Sequence, residues 1–419
     1  FISKYDSDTI YSAGNVVFKS TDEGMTWEAI SGDLTRDLKD KQVITGTPWL
    51  PEYFGQEVYS TIQRIVESPV KQGVIWTGSD DGLIYLTTDE GETWNNVTIP
   101  NLPEFAHVHE LEASPHDAAT LYVVISRYNT ANDYAPYIYK TNDYGKTWTN
   151  LSPAFPQDQT TRTIREDTVR KGMLYVGTET GIYLSLDDGK HWRSISENLP
   201  AVGVHDIEVK NSDLVIATMG RGFWIMDDII PLREYSEDVE AAKTHLYQVS
   251  DHTRFGYNWW MDYAPGGDPG GMRKYFVQNV RPNHIYYELG VVNGEKRRKF
   301  VNAGDAKSLG VVIYFKLDRD ADDVSLDILD GEGNIIRSYG KEAITLNDFD
   351  SDTQSFNSGV NKFVWDMRYT MVSAIPGRPA TNIMPFAKPG NYQVKLTVDG
   401  VSQVSDFKLS INPCLLYTS

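Results

Sequence analysis

Short apolar runs alternate with clusters of turn residues along the first half of the chain, and this pattern predicts β-strands. Within residues 61–100, strands are expected at residues 63–67, 74–78, 83–86 and 94–99, because β-branched and aromatic side chains concentrate there between Gly, Pro, Ser and Asp. Runs this short do not suit helices. Four successive strands joined by tight turns form an antiparallel meander, so the pattern indicates an all-β protein.

The same meander recurs further along the chain. Repeats of this length are typical of propellers and related arrays. The first strands of the later units are expected at residues 108–113, 163–166 and 205–209, and the second strands at residues 121–125, 173–177 and 214–218. Residues 218–228 are expected to hold the third strand of a last unit. The first half of the chain is therefore predicted to be a tandem β-repeat.

A turn motif, Ser/Thr-x-Asp-x-Gly-x-x-Trp, occurs four times, each time after a predicted third strand. Asp accepts hydrogen bonds from backbone N–H groups in a turn, Gly adopts positive φ, and Trp buries a large surface. Separate turns on separate units do not converge on one atom, as a metal site requires. We therefore expect structural roles for the motif residues, which are Asp22, Gly24, Trp27, Asp89, Gly91, Trp94, Asp143, Gly145, Trp148, Asp187, Gly189 and Trp192.

The four motifs resemble the Asp boxes of BNR-repeat β-propellers, which include sortilin-type domains, two-propeller xyloglucanases, sialidases and photosystem II assembly factors. The resemblance covers residues 16–228 and is nearest to bacterial sortilin-N-terminal-like proteins described as glycosyl hydrolases. It implies that each box is structural and lies in the turn between the third and fourth strands of a blade. Four boxes and one unit without a box imply about five blades.

We expect this propeller to be partial and open. A closed propeller usually joins its last blade to a strand from the start of the chain. Residues 1–15 offer one strand, at residues 9–12, and that strand belongs to the meander of the first blade. The expected result is an open arc whose first blade is incomplete and whose edge strand is unpaired.

The expected ligand site lies on the face opposite the boxes. In a meander, the start of the first strand and the turn between the second and third strands share one face, and the innermost strand borders the central channel. An alternative is that polar residues there are ordinary turn residues, and His109 also suits a structural role. The candidates on this face are Gln63, Arg64, Asp80, Asp81, His109, Glu110, Arg162, Glu179, His205, Asp206 and Arg221.

Two functions fit this face. The first is a binding protein that presents a site for a glycan or a peptide, so its partner is a polysaccharide or a protein. The second, by resemblance to the xyloglucanases, is a secreted glycoside hydrolase. A carboxylate pair such as Asp81 with Glu179 could do this chemistry at the separations that retaining or inverting mechanisms need. No such carboxylate pair can be assigned from the sequence, so no catalytic residue is named and the binding function is favoured.

The C-terminal part shows a sandwich pattern of short strands with turns between them. A hairpin is expected to turn at Asn293–Gly294. Residues 359–369 and 389–398 resemble the Ig-like domain that follows such propellers and the flagellar hook-capping Ig-like fold. The strands are expected at residues 310–317, 324–329, 335–338, 361–366, 392–398 and 406–411.

These patterns divide the chain into four parts. Residues 1–230 are expected to form the propeller, and residues 276–413 an Ig-like β-sandwich with its preceding hairpin. Between them, residues 231–275 are expected to be a linker with an aromatic strap, in which Trp259 and Trp260 pin a loop or stack on a sugar. Residues 414–419 follow no pattern and resemble adapter-derived read-through.

Charge and composition exclude several classes of protein. The 419 residues carry a formal net charge of −19, which argues against nucleic-acid binding and against docking on anionic lipid. Cys414 is the single cysteine, which excludes an intrachain disulfide and a Cys-based metal site. We expect no metal, no cofactor and no membrane insertion. An extracellular, periplasmic or cell-surface location is expected, although Phe1 is not a start methionine and no signal peptide is visible.

Overall fold

The chain forms two compact, almost entirely β units, Phe1–Ile229 and Ile230–Ser419. The computed structural model describes residues 1–42, 46–47, 50–51, 59–104, 106–254, 286–292, 295–300, 310–320, 323–340, 356–369 and 385–411. Helices in the described part are short. They are Tyr128–Ala131, the 3-10 turn Ser152–Ala154, Ile230–Glu234 and Glu237–Ala241.

Five antiparallel meanders follow one another in the first unit, as the repeat predicts. We number them blades 1 to 5 in chain order. Blade 1 contains Ile10–Ala13, Val17–Ser20 and Glu28–Ala29; blade 2 contains Ile62–Glu67, Ile75–Ser79, Ile84–Thr87 and Asn95–Asn96; blade 3 contains His107–Ala113, Leu121–Arg127, Asp133–Thr141 and Thr149–Asn150; blade 4 contains Thr161–Glu166, Leu174–Thr178, Ile182–Ser185 and Arg193–Ser194; blade 5 contains Val204–Lys210, Asp213–Thr218 and Phe223–Met226. A two-residue pair, Gly46–Thr47 with Leu50–Pro51, lies between blades 1 and 2.

The first strands of blades 2 to 5 contact one another in sequence, which makes them the inner wall of the propeller. Their apolar side chains and those of the second and third strands pack between adjacent blades. The contact between blades 2 and 3, for example, buries Trp76, Ile84, Val108 and Leu111. We call each such contact between neighbouring blades a seam.

The four box turns close in the same way. In the first of them, Asp22 Oδ1 accepts from Thr26 N at 2.8 Å and from Ser20 Oγ at 2.8 Å, while Gly24 N donates to Ser20 Oγ at 2.9 Å. The same three bonds recur around the other box aspartates, Asp89, Asp143 and Asp187. Hydrogen bonds from the side chain and the backbone N–H of the residue four positions further on hold the pKa of each box aspartate below its usual value, to about 2 at Asp143. The hydrogen bonds described here close each of the four turns.

Each later box also seals the seam to the preceding blade. A Cβ at Gly145 would come within 2.6 Å of Val97 of blade 2, so this residue must be glycine both for space and for its φ of 77°. Trp148 Nε1 donates to the Val97 carbonyl at 3.0 Å. Trp94 bonds the Ile30 carbonyl of blade 1 in the same way, whereas Trp27 and Trp192 bond the glycine carbonyls of their own turns, and Trp27 is 45% exposed. The box therefore joins blades as well as turning the chain.

The propeller is partial and open, as predicted. Among the strands in the described part of the chain, none pairs the sheet of blade 1 with the sheet of blade 5. The edge strand of blade 5 is Phe223–Met226, and Phe223 is 79% exposed. At the corresponding position in blades 2, 3 and 4, the isoleucines Ile84, Ile138 and Ile182 are buried.

The second unit is a β-sandwich. Its three-stranded sheet and its five-stranded sheet share one core, in which Phe315 and Trp365 of the first sheet pack with Leu396 and Phe407 of the second. A separate hairpin pairs Tyr286–Val292 with Glu295–Phe300, so the expected hairpin is confirmed. In sheet order the strands are Thr244–Leu246, Val311–Leu317 and Gly359–Trp365, then His252–Arg254, Val401–Ile411, Gly390–Val398, Val324–Asp330 and Ile335–Gly340.

The start of the expected linker is structured. Thr244–Leu246 pairs antiparallel with Val311–Leu317, and His252–Arg254 pairs parallel with Val401–Ile411. These runs are only three residues long and carry polar side chains, so their sequence resembled a linker, whereas backbone pairing at the sheet edges orders them. The aromatic strap with Trp259 and Trp260, and the tail at residues 414–419, lie outside the described residues.

Candidate ligand-binding site

A β-bulge interrupts the first strand of each of blades 2 to 5 at the same place. The register shifts fall between Ile62 and Arg64, and at the corresponding steps in the other three blades. A bulge re-aims a side chain and is common beside functional sites. We call the four side chains at these positions the bulge ring, and they are Gln63, His109, Arg162 and His205. They lie near the starts of the inner strands, on the face opposite the boxes, which we call the mouth face.

Arg162 is the hub of this ring. Its guanidinium pairs with Glu179 of the same blade and approaches His109 Nε2 of blade 3 at 3.3 Å. It also lies over the Tyr128 ring, 4.2 Å from the ring centre, in a cation–π contact. Arg162 therefore ties blade 3 to blade 4, and Glu179 balances its charge.

Two histidines of the site, His107 and His109, are held neutral. Burial, together with the nearby Arg64 and Arg162, lowers the pKa of His107 to about 4. Burial, with His107 and Arg162, lowers the pKa of His109 to about 3. His205 Nε2 is buried and has no hydrogen-bond partner in the described part of the chain. At neutral pH the imidazoles of His107 and His109 thus offer hydrogen-bonding groups without adding charge.

A pocket of about 490 Å³ opens beside Arg162 on the mouth face, across the seam between blades 3 and 4. Tyr128 and Tyr134 of blade 3 form one wall, with ring centres 6.3 Å apart, and Tyr134 is 57% exposed. The other wall comes from blade 4 and is polar. The lining residues are Tyr128, Tyr134, Asp158, Gln159, Thr160, Arg162, Glu179 and Thr180.

Further along the inner strands, a ladder of ion pairs crosses three seams. Glu110 of blade 3 lies 3.5 Å from Arg64 of blade 2 and 3.4 Å from Arg165 of blade 4. Arg165 also pairs with Glu112 at 3.6 Å and with Asp206 of blade 5 at 2.7 Å. The ladder holds the inner strands together, and its acidic and basic side chains are paired with one another.

The ladder contains one carboxyl group with unusual acidity. Burial raises the pKa of Glu112 to about 7, and the nearby Arg165 opposes this rise. Its Oε1 accepts a hydrogen bond from Glu166 N at 3.3 Å. Glu112 is the group in this wall that would change charge near neutral pH.

The other sequence candidates have different surroundings. Asp80 Oδ1 accepts from Ser60 N and Thr61 N, both at 2.9 Å. Asp81 is buried and accepts from Arg36 N at 2.8 Å. These two aspartates therefore anchor local backbone. Arg221 lies exposed on the turn before the last strand of blade 5, where its carbonyl accepts from Trp224 Nε1 at 3.2 Å.

The expected candidates thus fall into three groups. Arg162 and Glu179 line the pocket, with His109 and His205 beside them in the ring, whose member in blade 2 is Gln63. Arg64, Glu110 and Asp206 form the ladder. Asp80, Asp81 and Arg221 lie apart from the pocket lining.

Sequence reasoning missed the aromatic wall and part of the ladder. Tyr128 and Tyr134 lie where blade 3 lengthens its turn between the second and third strands, around the helix Tyr128–Ala131. The signal was present, because the run from residue 127 to 136 is longer than the matching turn in the other blades and contains two tyrosines. Arg165 and Glu112 gave no such signal, because their pairing depends on contacts between blades.

Within the described residues, no cluster of His, Cys, Asp or Glu is arranged to hold a metal ion. In that same part of the chain, no helix is long and apolar enough to cross a membrane.

No protein-family model and no curated protein matches the chain. Solved structures do match. The GH74 xyloglucanase from Xanthomonas campestris aligns at 15% identity and TM-score 0.40, covering 56% of this chain and 36% of that one. The GH74 enzyme of Niastella koreensis aligns at 19% identity and TM-score 0.40, covering 54% and 36%. YCF48 bound to D1 peptide aligns at 17% identity and TM-score 0.34, covering 56% and 65%.

The chain therefore spans about a third of the length of the two GH74 structures.

Proposed function

We propose that the first unit is an exported binding module, and that its mouth-face pocket between blades 3 and 4 holds a glycan or a peptide. One observation carries this proposal. The pocket combines an exposed aromatic wall, Tyr128 and Tyr134, with polar groups on the facing blade. Concave sites of this size with aromatic walls and a few fixed polar groups are typical of ligand sites.

The geometry supports binding more than hydrolysis. Glycosidases need two carboxyl groups across the reacting bond, one of them an acid of raised pKa. Of the expected pair, Asp81 is buried and holds Arg36 N, and Glu179 is paired with Arg162. Neither carboxylate is arranged as a general acid.

A glycoside hydrolase is the second candidate, and one observation favours it. The pKa of about 7 at Glu112 suits a general acid. Glu112 belongs to the ladder, however, and its carboxylate already faces Arg165 and Glu166 N. A polysaccharide hydrolysis screen is expected to show no activity that Glu112→Gln abolishes, and such activity would make the enzyme the better assignment.

The proposal extends to family and location. The four box turns support membership of the Asp-box (BNR) propellers, near the sortilin-like proteins, and the two-sheet core supports an Ig-like second unit. Domains of this kind usually space or anchor a secreted protein, so we propose an extracellular, periplasmic or cell-surface location.

Glycan and peptide arrays probed with the whole chain test the binding function. We expect at least one class of ligand to bind, and Tyr134→Ala to weaken that binding about tenfold or more, since truncating a central aromatic removes much of the contact energy. Phe223→Ala is the control, because Phe223 is also an exposed aromatic but lies on blade 5. Equal binding by Tyr134→Ala and the unaltered chain would show that the pocket is not the site.

A further inference from the structure

Blades 1 and 2 repeat as a pair in blades 3 and 4. In blade 1, Thr9 Oγ1 donates to Asp6 Oδ2 at 2.7 Å, and in blade 3, Thr120 Oγ1 donates to Asp117 Oδ2 at 2.8 Å. The segments carrying these bonds, residues 3–11 and 114–122, read SKYDSDTIY and SPHDAATLY. The odd blades of the two pairs therefore share a turn that their sequences also share.

The even blades and the seams repeat as well. Gly73 N donates to Glu67 Oε1 at 3.3 Å in blade 2, and Gly172 N donates to Glu166 Oε1 at 2.8 Å in blade 4. Across the two seams, a lysine of the odd blade meets an acid of the even blade. The pairs are Lys19 with Glu90 at 3.2 Å, and Lys140 with Asp188 at 2.5 Å.

The same equivalence extends to the mouth face. Asp80 N donates to the Thr61 carbonyl at 3.0 Å, and Glu179 N donates to the Thr160 carbonyl at 3.1 Å. The residues around these bonds correspond one for one. Ser60, Asp80 and Asp81 of blade 2 therefore match Gln159, Glu179 and Thr180 of blade 4, which line the pocket.

At the seam between blades 1 and 2, the chain itself occupies this position. Residues 33–38, which follow blade 1, reach blade 2 through the backbone N–H groups of Arg36 and Leu38. Arg36 N donates to Asp81 Oδ2 at 2.8 Å, and Leu38 N donates to Ser60 Oγ at 3.2 Å. The Arg36 guanidinium completes the contact through Nε to the Asp81 carbonyl at 2.9 Å.

At the seam between blades 3 and 4, the matching position is the open pocket of about 490 Å³. Its rim offers hydrogen-bond acceptors, among them the carboxylate of Asp158 and that of Glu179, which also pairs with Arg162. Its other wall is the tyrosine pair, in which Arg162 covers Tyr128 while the exposed ring of Tyr134 suits a further cationic side chain. The chain's net charge of −19 adds an attraction for basic ligands.

From this equivalence we propose that the pocket takes an extended peptide with a basic side chain, in the place that residues 33–38 fill at the first seam. The ligand's backbone N–H groups bond the acceptors of blade 4, and its basic side chain lies against the exposed ring of Tyr134. This inference rests on the proposed function and selects peptide over glycan.

A peptide with the sequence of residues 33–39 (DLTRDLK), capped at both ends, is the probe. Fluorescence anisotropy with the labelled peptide and the whole chain is expected to show saturable binding. Alanine in place of its arginine is expected to weaken binding about tenfold, and so is Tyr134→Ala in the protein. Gly14→Ala is the matched protein control, because a Cβ at Gly14 meets nothing within 4 Å and the residue lies in blade 1.

The outcomes separate this inference from the proposed function. The inference is overturned if the peptide binds the Tyr134→Ala variant as tightly as the native chain, or if it does not bind at all. If an oligosaccharide then binds and depends on Tyr134, the inference is wrong while the binding function stands. If no ligand of either class depends on Tyr134, both are wrong. Tyr134 is largely exposed, so its removal should leave the melting temperature unchanged and the comparison interpretable.

Discussion

The seam between blades 2 and 3 and the seam between blades 3 and 4 occupy matching places but differ in chemistry. At the first, Trp76 and Leu86 of blade 2 face Ala113 and Tyr144 of blade 3, and the contact is apolar. At the second, the matching residues are Tyr122, Lys140, Glu166 and Asp188.

The seam between blades 3 and 4, which we call the polar seam, contains an apolar cluster around Ile138 and Val176 and, beside it, a buried polar patch. Tyr122 OH lies 2.8 Å from Asp188 Oδ1 and 3.4 Å from Glu166 Oε1. Buried polar groups must be satisfied to avoid a penalty, so such a patch fixes which blades can meet. The comparison teaches that one repeat, with one turn motif, can be joined by two kinds of contact, and the pocket lies over the polar kind.

The largest expected effect is at the apolar seam. Trp76 is fully buried, so Trp76→Ala should lower the free energy of unfolding by about 3–5 kcal/mol through lost burial and a cavity. Chemical denaturation monitored by circular dichroism measures it. A loss smaller than that from Tyr122→Phe would contradict the view that apolar packing dominates this seam.

The inner-wall carboxyl should make stability depend on pH. The pKa of Glu112 rises from 4.5 to about 7 on folding, so the folded state holds the proton more tightly than the unfolded chain. The contribution of Glu112 to the free energy of unfolding is therefore greatest below pH 4.5, declines as pH rises toward 7, and stays low above that. The total change is about 1–3 kcal/mol.

Glu112→Gln should flatten this decline, because the amide does not ionise. Melting temperatures measured between pH 5 and pH 8 test it, since the native chain should lose more stability over this range than the variant. If the melting temperatures of both proteins decline equally, the pH dependence comes from groups other than Glu112.

The polar seam should respond to loss of one hydroxyl. Tyr122→Phe removes the donor that meets Asp188 and Glu166, and should lower the free energy of unfolding by about 1–2 kcal/mol. Tyr175→Phe is the matched control, because Tyr175 holds the same strand position in blade 4 and donates to Met173 Sδ at 3.8 Å, a weaker acceptor. Equal losses would mean that the polar patch adds no stability.

The box turns should give the smallest and most uniform effects. Asp89→Ala in blade 2 and Asp143→Ala in blade 3 each remove an acceptor from a closed turn. Each should lower the melting temperature by a few degrees and leave ligand binding unchanged. Lost ligand binding with an unchanged melting temperature would contradict their structural role.

Much of the fold could be predicted from sequence, because its signals are local. The box places Asp, Gly and Trp at fixed offsets within eight residues, so each turn and its flanking strands are visible in one stretch. The sandwich strands were visible for the same reason. The edge strand His252–Arg254 was not, because three polar residues carry no periodicity and their order comes from pairing with residues more than 150 positions away.

The site could be predicted only in part. The meander places Arg162, Glu179 and His109 on one face, and the structure brings these three together. The sequence does not show the bulges that group the ring side chains, since a bulge appears only when two strands are paired. It also hides which carboxylates are already occupied, as Asp81 is by the backbone of Arg36.

The central claim is that the polar seam between blades 3 and 4 carries the ligand site. Isothermal titration calorimetry with the strongest array ligand tests this claim. Two variants at matching bulge positions are compared, Arg162→Gln in the pocket and Gln63→Ala in blade 2. The account predicts about tenfold weaker binding for Arg162→Gln and unchanged affinity for Gln63→Ala. Equal affinities for both variants and the native chain, with both variants folded, would contradict it.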